Sequence, residues 1–184
     1  MSQTTIKNSN AIQFGSGKFE YSKDGSTWTD LGAMVNIVFT ETFDKVTVMS
    51  DNAGVIKERI KNHHASLAGD LQEINLEDLS TLRGGLDKYT EDSGISETIK
   101  SGGLLTIDAV QVRVTNTNER NEIFRITIFK ATNNRGITLN FSPDDADDPN
   151  VIGIELLGSC DTTLTKGEQL FEIYNEQGIG GINS

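Results

Sequence analysis

Apolar and polar residues alternate along most of the chain, with the two-residue period of half-buried strands. The clearest case puts Val35, Ile37 and Phe39 on one face and Asn36, Val38 and Thr40 on the other. The same period recurs at Val46 and Val48, at Val110, Val112 and Val114, and at Phe124, Ile126 and Ile128. It returns at Ile137, Leu139 and Phe141, and at Ile152, Ile154 and Leu156. Lys18 to Tyr21 predicts a short strand, and Lys23-Asp24-Gly25-Ser26 a hairpin turn into a return strand carrying Trp28 and Leu31 before Gly32. Leu170 to Tyr174 predicts a last strand.

From Val55 the chain returns as a strand with an unusual face. Lys57, Arg59 and Lys61 project to one side, and Ile56, Glu58 and Ile60 to the other. Further on, Ala65, Leu67 and Leu71 share a face, where Gly69 leaves a gap that marks a bulge or bend. One segment breaks the strand period. Asn75 reads as an N-cap, Glu77 and Asp78 suit the positive end of a helix dipole, and Leu76, Leu79 and Leu82 line one side. Arg83 and Gly84-Gly85 close this helix of about residues 76–83. Asp87 to Gly103 is polar and rich in Gly and Ser, and is expected to be a long loop.

These elements predict a mainly β chain. The expected body is a β-barrel or sandwich with one short flanking helix, a long early hairpin loop and extended terminal arms. At 184 residues one domain suffices, with an arm at 1–13, a β core at 14–174 and a tail at 175–184. No apolar run reaches the roughly 20 residues of a membrane helix, and MSQTTIKNSNAIQ lacks the charged and apolar regions of a secretory signal. Net charge is −11, unevenly spread: residues 1–86 carry 8 basic and 11 acidic side chains, residues 87–184 carry 8 and 16. An acidic surface disfavours phosphate-neutralising contacts to nucleic acid. It serves solubility, or it lets DNA pass close by without sticking.

Reactive clusters are missing from the pattern. His63 and His64 are the only histidines, and adjacent strand positions point to opposite faces, so they cannot jointly hold a metal. There is no Gly-x-Ser-x-Gly elbow and no GxxxxGK[ST] loop. Cys160 is the single cysteine, which excludes an internal disulfide, and it reads as a small buried or half-buried residue. Asp144-Asp145-Ala146-Asp147-Asp148 lacks the spacing of a calcium loop and reads as a solvated acidic loop, with a weak cation contact at a subunit boundary left open. No catalytic, cofactor-binding or metal residue is expected, and the chain reads as a non-enzyme.

Three segments carry a family resemblance: GKFEYSKDGSTWTDLG (Gly17 to Gly32), TETFDKVTVMSDNAG (Thr40 to Gly54) and KNHHASLAGDLQEINLEDLSTLRGGLDKY (Lys61 to Tyr89). In order and spacing they resemble the tail tube (major tail) protein of tailed bacteriophages. The resemblance implies hexameric rings that stack into a hollow virion tail, assembled in the host cytoplasm, through which the genome leaves the capsid. It also implies contacts with tape-measure, terminator and other tail proteins. The long connection reaching neighbouring subunits would fall at about Asp44 to Asn62. Its candidate interface residues are Asp51, Asn52 and Gly54 at the tip and Lys57, Arg59 and Lys61 along one face. Leu76, Leu79 and Leu82 would pack the helix on the barrel wall. Terminal arms and the 87–103 segment are further contacts on physical grounds alone.

Two alternatives stay open. The basic face merely solvates an exposed hairpin and blunts its edge. Or the chain is a β-sandwich binding module for carbohydrate or protein, with Trp28 and Tyr21 in an aromatic platform. Contractile tails, flexible tails and tube-like injection devices are not separable at this level.

Overall fold

The computed structural model describes residues 17–52, 54–73, 75–85, 87–103, 106–118, 121–136, 138–140 and 150–176. The expected arm at 1–13, the acidic run at 144–148 and the tail beyond residue 176 lie outside these residues. So do Ile137 and Phe141. The chain is mainly β, with eleven strands and one helix among the described residues, in the order β1 (Lys18–Ser22), β2 (Thr29–Asp30), β3 (Met34–Ser50), β4 (Gly54–Leu71), α1 (Leu76–Leu82), β5 (Asp87–Asp92), β6 (Ser96–Ser101), β7 (Val110–Thr117), β8 (Ile123–Asn133), β9 (Thr138–Asn140), β10 (Val151–Gly158) and β11 (Phe171–Asn175).

Nine strands form one antiparallel sheet in the order β2-β1-β7-β8-β10-β4-β3, with β11 added to β8 and β9 to β10. Laid flat, the steps from β2 to β3 would set those strands about 29 Å apart. Yet the residues Leu31 to Ala33 that join them reach at most about 14 Å. The sheet therefore rolls up. No ladder joins β2 to β3 among the described residues, so the roll stays open and sandwich-like.

The expected alternations at β7 and β10 place Val110, Val112, Ile152, Ile154 and Leu156 inside the roll, as predicted. In β3 the phase shifts. Asn36 and Ile37 stand against the single residue Gly69, between the pairs Val35↔Asp70 and Val38↔Ala68. Asn36 adopts a left-handed φ of 55°, which Asn tolerates better than most residues. This bulge turns Met34 inward, where simple alternation placed Val35. Gly69 makes the room: a Cβ there would lie 2.7 Å from Met34 Cε.

Helix α1 begins where expected. The Asn75 side chain accepts from the backbone N–H of Glu77 and Asp78, and Arg83 is the C-cap. Leu79 and Leu82 are buried in the same cluster as Tyr21, Leu67 and Leu156, with Leu76 partly buried against it. The Tyr21 hydroxyl donates to Asp78 Oδ1 at 2.7 Å, tying the helix to β1.

The segment expected as a loop, 87–103, is instead the hairpin β5–β6. Ser93 and Gly94 take φ of 48° and 73°, the two positive values that a tight hairpin turn of right-handed twist requires. Arg83 anchors the hairpin, donating through Nε and Nη2 to Asp87 and through Nη2 to Ser101 Oγ. Cys160, expected to be buried or half-buried, is exposed. Alternation ends at the buried Gly158, and Cys160 follows in the loop after β10.

Buried carboxylates make the fold acid-sensitive. Burial works to raise the pKa of Glu20, but hydrogen bonds from Arg113 and Lys18 outweigh it and hold the group low. Asp87 behaves alike, burial being outweighed by hydrogen bonds from Arg83 and Ser101. Groups with lowered folded pKa contribute stability that is present above the unfolded value and lost as pH falls through the folded one. Chemical denaturation should therefore show stability falling below about pH 4, with the slope reduced in Glu20→Gln and Asp87→Asn. Arg83→Met, which strands a buried carboxylate, should cost about 3 kcal/mol at neutral pH.

Candidate functional site

Beyond the roll, β3 and β4 continue together as a two-stranded ribbon. The ladder runs from Asp44↔Lys61 to Val48↔Lys57 and, after a register shift that leaves Ile56 as an extra residue, from Met49↔Val55 to Ser50↔Gly54 at the tip. The long early connection is thus a paired arm, not an open loop. β10 pairs β4 only between Ala65 and Leu71, and no strand pairs the outer edge of β3 among the described residues. A free-standing ribbon of this kind is marginal in water. This one holds because its strands are continuous with the buried sheet.

A second bulge lies at the arm's root. Asn62 and His63 stand against Phe43, between the pairs Thr42↔His64 and Asp44↔Lys61. Asn62 takes a left-handed φ of 51°, and its Nδ2 donates to Asp44 Oδ2 at 2.7 Å. The consequence is a reversal of faces. In an unbroken strand Lys57, Arg59 and Lys61 would share the side of Ala65 and Leu67, which faces the core. The extra residue puts the three cations on the opposite side, beside Val46 and Val48. Ile60 and Glu58 take the core-side continuation, where Glu58 pairs with Lys45 at 2.7 Å.

The two faces differ in chemistry. Lys57, Arg59 and Lys61 make no ion pair among the described residues. Apolar side chains lie open along the arm: Met49 is 70% exposed, Ile56 61%, Ile60 55% and Phe43 52%. These apolar positions are the part of the surface that sequence reading missed. The signal was present in the adjacent apolar pairs Val48-Met49 and Val55-Ile56, which lack the polar alternate expected of a strand with one wet face. At the root, His63 Nε2 lies 2.6 Å from Glu41 Oε1, and its ring meets Phe43 and Phe171 edge-on. A hollow of about 340 Å³ opens beside it, lined by Cys160, Gln169, Leu170 and others.

Asp51, Asn52 and Gly54 occupy the tip, about three residues from Lys57 and about seven from Lys61. Leu76, Leu79 and Leu82 lie apart from the arm, on the helix beyond the other end of β4. The aromatic platform does not form as drawn. Tyr21 is 6% exposed, with burial and the Asp78 carboxylate pushing its pKa up to about 12. Trp28 packs on Arg113, whose side chain pairs with Glu20 on the opposite face of β1 from Tyr21.

No protein-family model matches the chain, and no curated protein matches its sequence. Its backbone superposes on a cryo-EM structure of the anti-feeding prophage cap, the tube-terminating cap, with a TM-score of 0.52 at 10% identity, over 94% of this chain and 99% of that one. The chain shares the fold of that cap. A chain of the six-fold symmetrised anti-feeding prophage baseplate gives 0.45 at 10% identity, over 95% of this chain and 97% of that one.

The bulge is testable by itself. Asn62→Val should cost about 1–2 kcal/mol in chemical denaturation, because a β-branched residue resists positive φ, whereas Asn62→Gly should cost much less. Equal losses for both would mean the backbone conformation at 62 is not what the residue serves.

Proposed function

We propose that this chain is a structural subunit of a phage-type tail tube. Copies close into hexameric rings, the rings stack into a hollow tail, and DNA passes along the bore during ejection. The observation that carries this reading is the arm: a paired ribbon, wet on both faces, bearing open apolar side chains and unpaired cations. Such a surface costs free energy in a solitary molecule and gains it back when covered. The fold shared with a tube-terminating cap supports the same reading, as does the order of the segments that resemble tail tube proteins. The net charge of −11 suits a bore that repels polyanions. In this reading the whole chain acts as one unit in the virion tail, assembled in the bacterial cytoplasm. Its neighbours there are further copies, the tape-measure protein and the terminator, and its role is not catalytic.

A second reading follows from the cap itself: the chain closes a tube instead of extending it. Electron microscopy of the purified chain at rising concentration separates the two. A tube subunit gives tubes that lengthen with concentration, a cap gives discrete rings, and a strict monomer under all conditions, with tail partners included, defeats both. Lys57→Glu with Arg59→Glu should block tube growth while leaving the circular dichroism spectrum and melting temperature in place. Unchanged growth would remove this face of the arm from the interface.

A further inference from the structure

The cations of the arm have a complement at the other end of the molecule. On β5–β6, Glu91 stands directly opposite Glu97 in the ladder. Facing like charges weaken a cross-strand pair, and this pair sits in an otherwise marginal two-stranded sheet. Glu77 of α1 joins them around Tyr89, whose pKa is raised first by desolvation and then by the charge of Glu97, Glu91 and Glu77. None of these three carboxylates has an ion-pair partner among the described residues. Beside them at the turn, Ile95 is 84% exposed. The face therefore presents unpaired acid next to an open apolar side chain. The arm presents unpaired base next to Val46 and Val48.

The two faces are not paired within one chain: no ion pair joins Lys57, Arg59 or Lys61 to Glu77, Glu91 or Glu97 among the described residues. From Arg59 to Leu71, β4 runs about 40 Å toward the helix. Complementary surfaces left unpaired within one molecule can be satisfied between copies, head to tail, and a contact of that kind closes into a ring or repeats as an open filament.

Resting on the assembly reading above, we propose that the Lys57, Arg59 and Lys61 face of one copy's arm docks on the β5–β6 face of a second copy, around Glu91 and Glu97. The ion pairs set register and direction, and the flanking apolar side chains supply the area.

A charge swap tests this. Glu91→Lys with Glu97→Lys, and separately Lys57→Glu with Arg59→Glu, should each raise the concentration needed for rings or tubes by roughly tenfold or more. The chain carrying all four changes should assemble within roughly threefold of the unmodified protein. Unaltered assembly of the Glu91→Lys, Glu97→Lys chain overturns the inference and leaves the tube reading standing. An unmodified chain that never assembles overturns both. Should a reversal unfold the protein, Arg59→Cys with Glu91→Cys in a Cys160→Ser background gives a second measurement. Mild oxidation of the assembled protein should link one copy to the next, and a product without intermolecular disulfide defeats the contact.

Discussion

The structure depends on one strand serving two environments. Between Ala65 and Leu71, β4 is held on both edges, by β3 and β10, and its inward side chains are dry, Leu67 completely so. Each such side chain contributes about 2 kcal/mol by burial. Between Gly54 and Asn62 the same strand has one partner and no core. A ribbon of that length has little stability of its own. It is held out because both of its strands continue, across the bulge at Asn62, into the part that is buried. The rolled sheet is thus a clamp, and the arm is what it holds out.

The root of the arm shows how the chain reconciles these environments. Strand geometry has a strict period of two, so a residue facing the core dictates the face of every second residue after it. Ala65, Leu67 and Leu71 need the dry face, while Lys57, Arg59 and Lys61 cannot accept it, and all six have odd numbers. One added residue resolves the conflict. Asn62 carries the cost of a left-handed conformation, of order 1 kcal/mol. That is small beside the cost of turning unpaired cations toward an apolar interior. Its hydrogen bond to Asp44 offsets part of it.

Much of the fold could be read along the chain because its causes are local. The helix announces itself in Asn75, Glu77 and Asp78, and β10 in Ile152, Ile154 and Leu156. The turn at Asp24 follows from a carboxylate that accepts from the N–H groups of Ser26 and Thr27. What stayed hidden is of two kinds. The bulge at Asn62 leaves no mark in composition, since it shifts the phase of a pattern whose members stay the same, whereas the one at Asn36 stands against Gly69, where the sequence does mark a bulge or bend. The β5–β6 hairpin was obscured because its strands are polar at most positions, with Ile99 packed against the core and Tyr89 opposite it in the ladder. Sheet order was likewise out of reach: β1 finds its partner in β7, on the far side of the arm, helix and second hairpin. Of the candidate site, the cations and the tip were visible as charge and turn. The open apolar residues among them drew no notice, because exposure is a property of the assembled sheet and not of the sequence.

The energetics of the arm argue for assembly that is cooperative. Covering the exposed halves of its apolar side chains would contribute about 1 kcal/mol apiece, so Phe43, Val48, Met49, Val55, Ile56 and Ile60 together offer about 6 kcal/mol. Bringing two free molecules together costs about 4–15 kcal/mol in lost motion. One arm on one neighbour therefore falls near the break-even point, and ion pairs at the rim add little to it. The balance changes when a copy is already held at one contact, because the next contact is then intramolecular and escapes most of that cost. A subunit built this way stays dispersed while copies are few, and commits once a ring offers several contacts simultaneously.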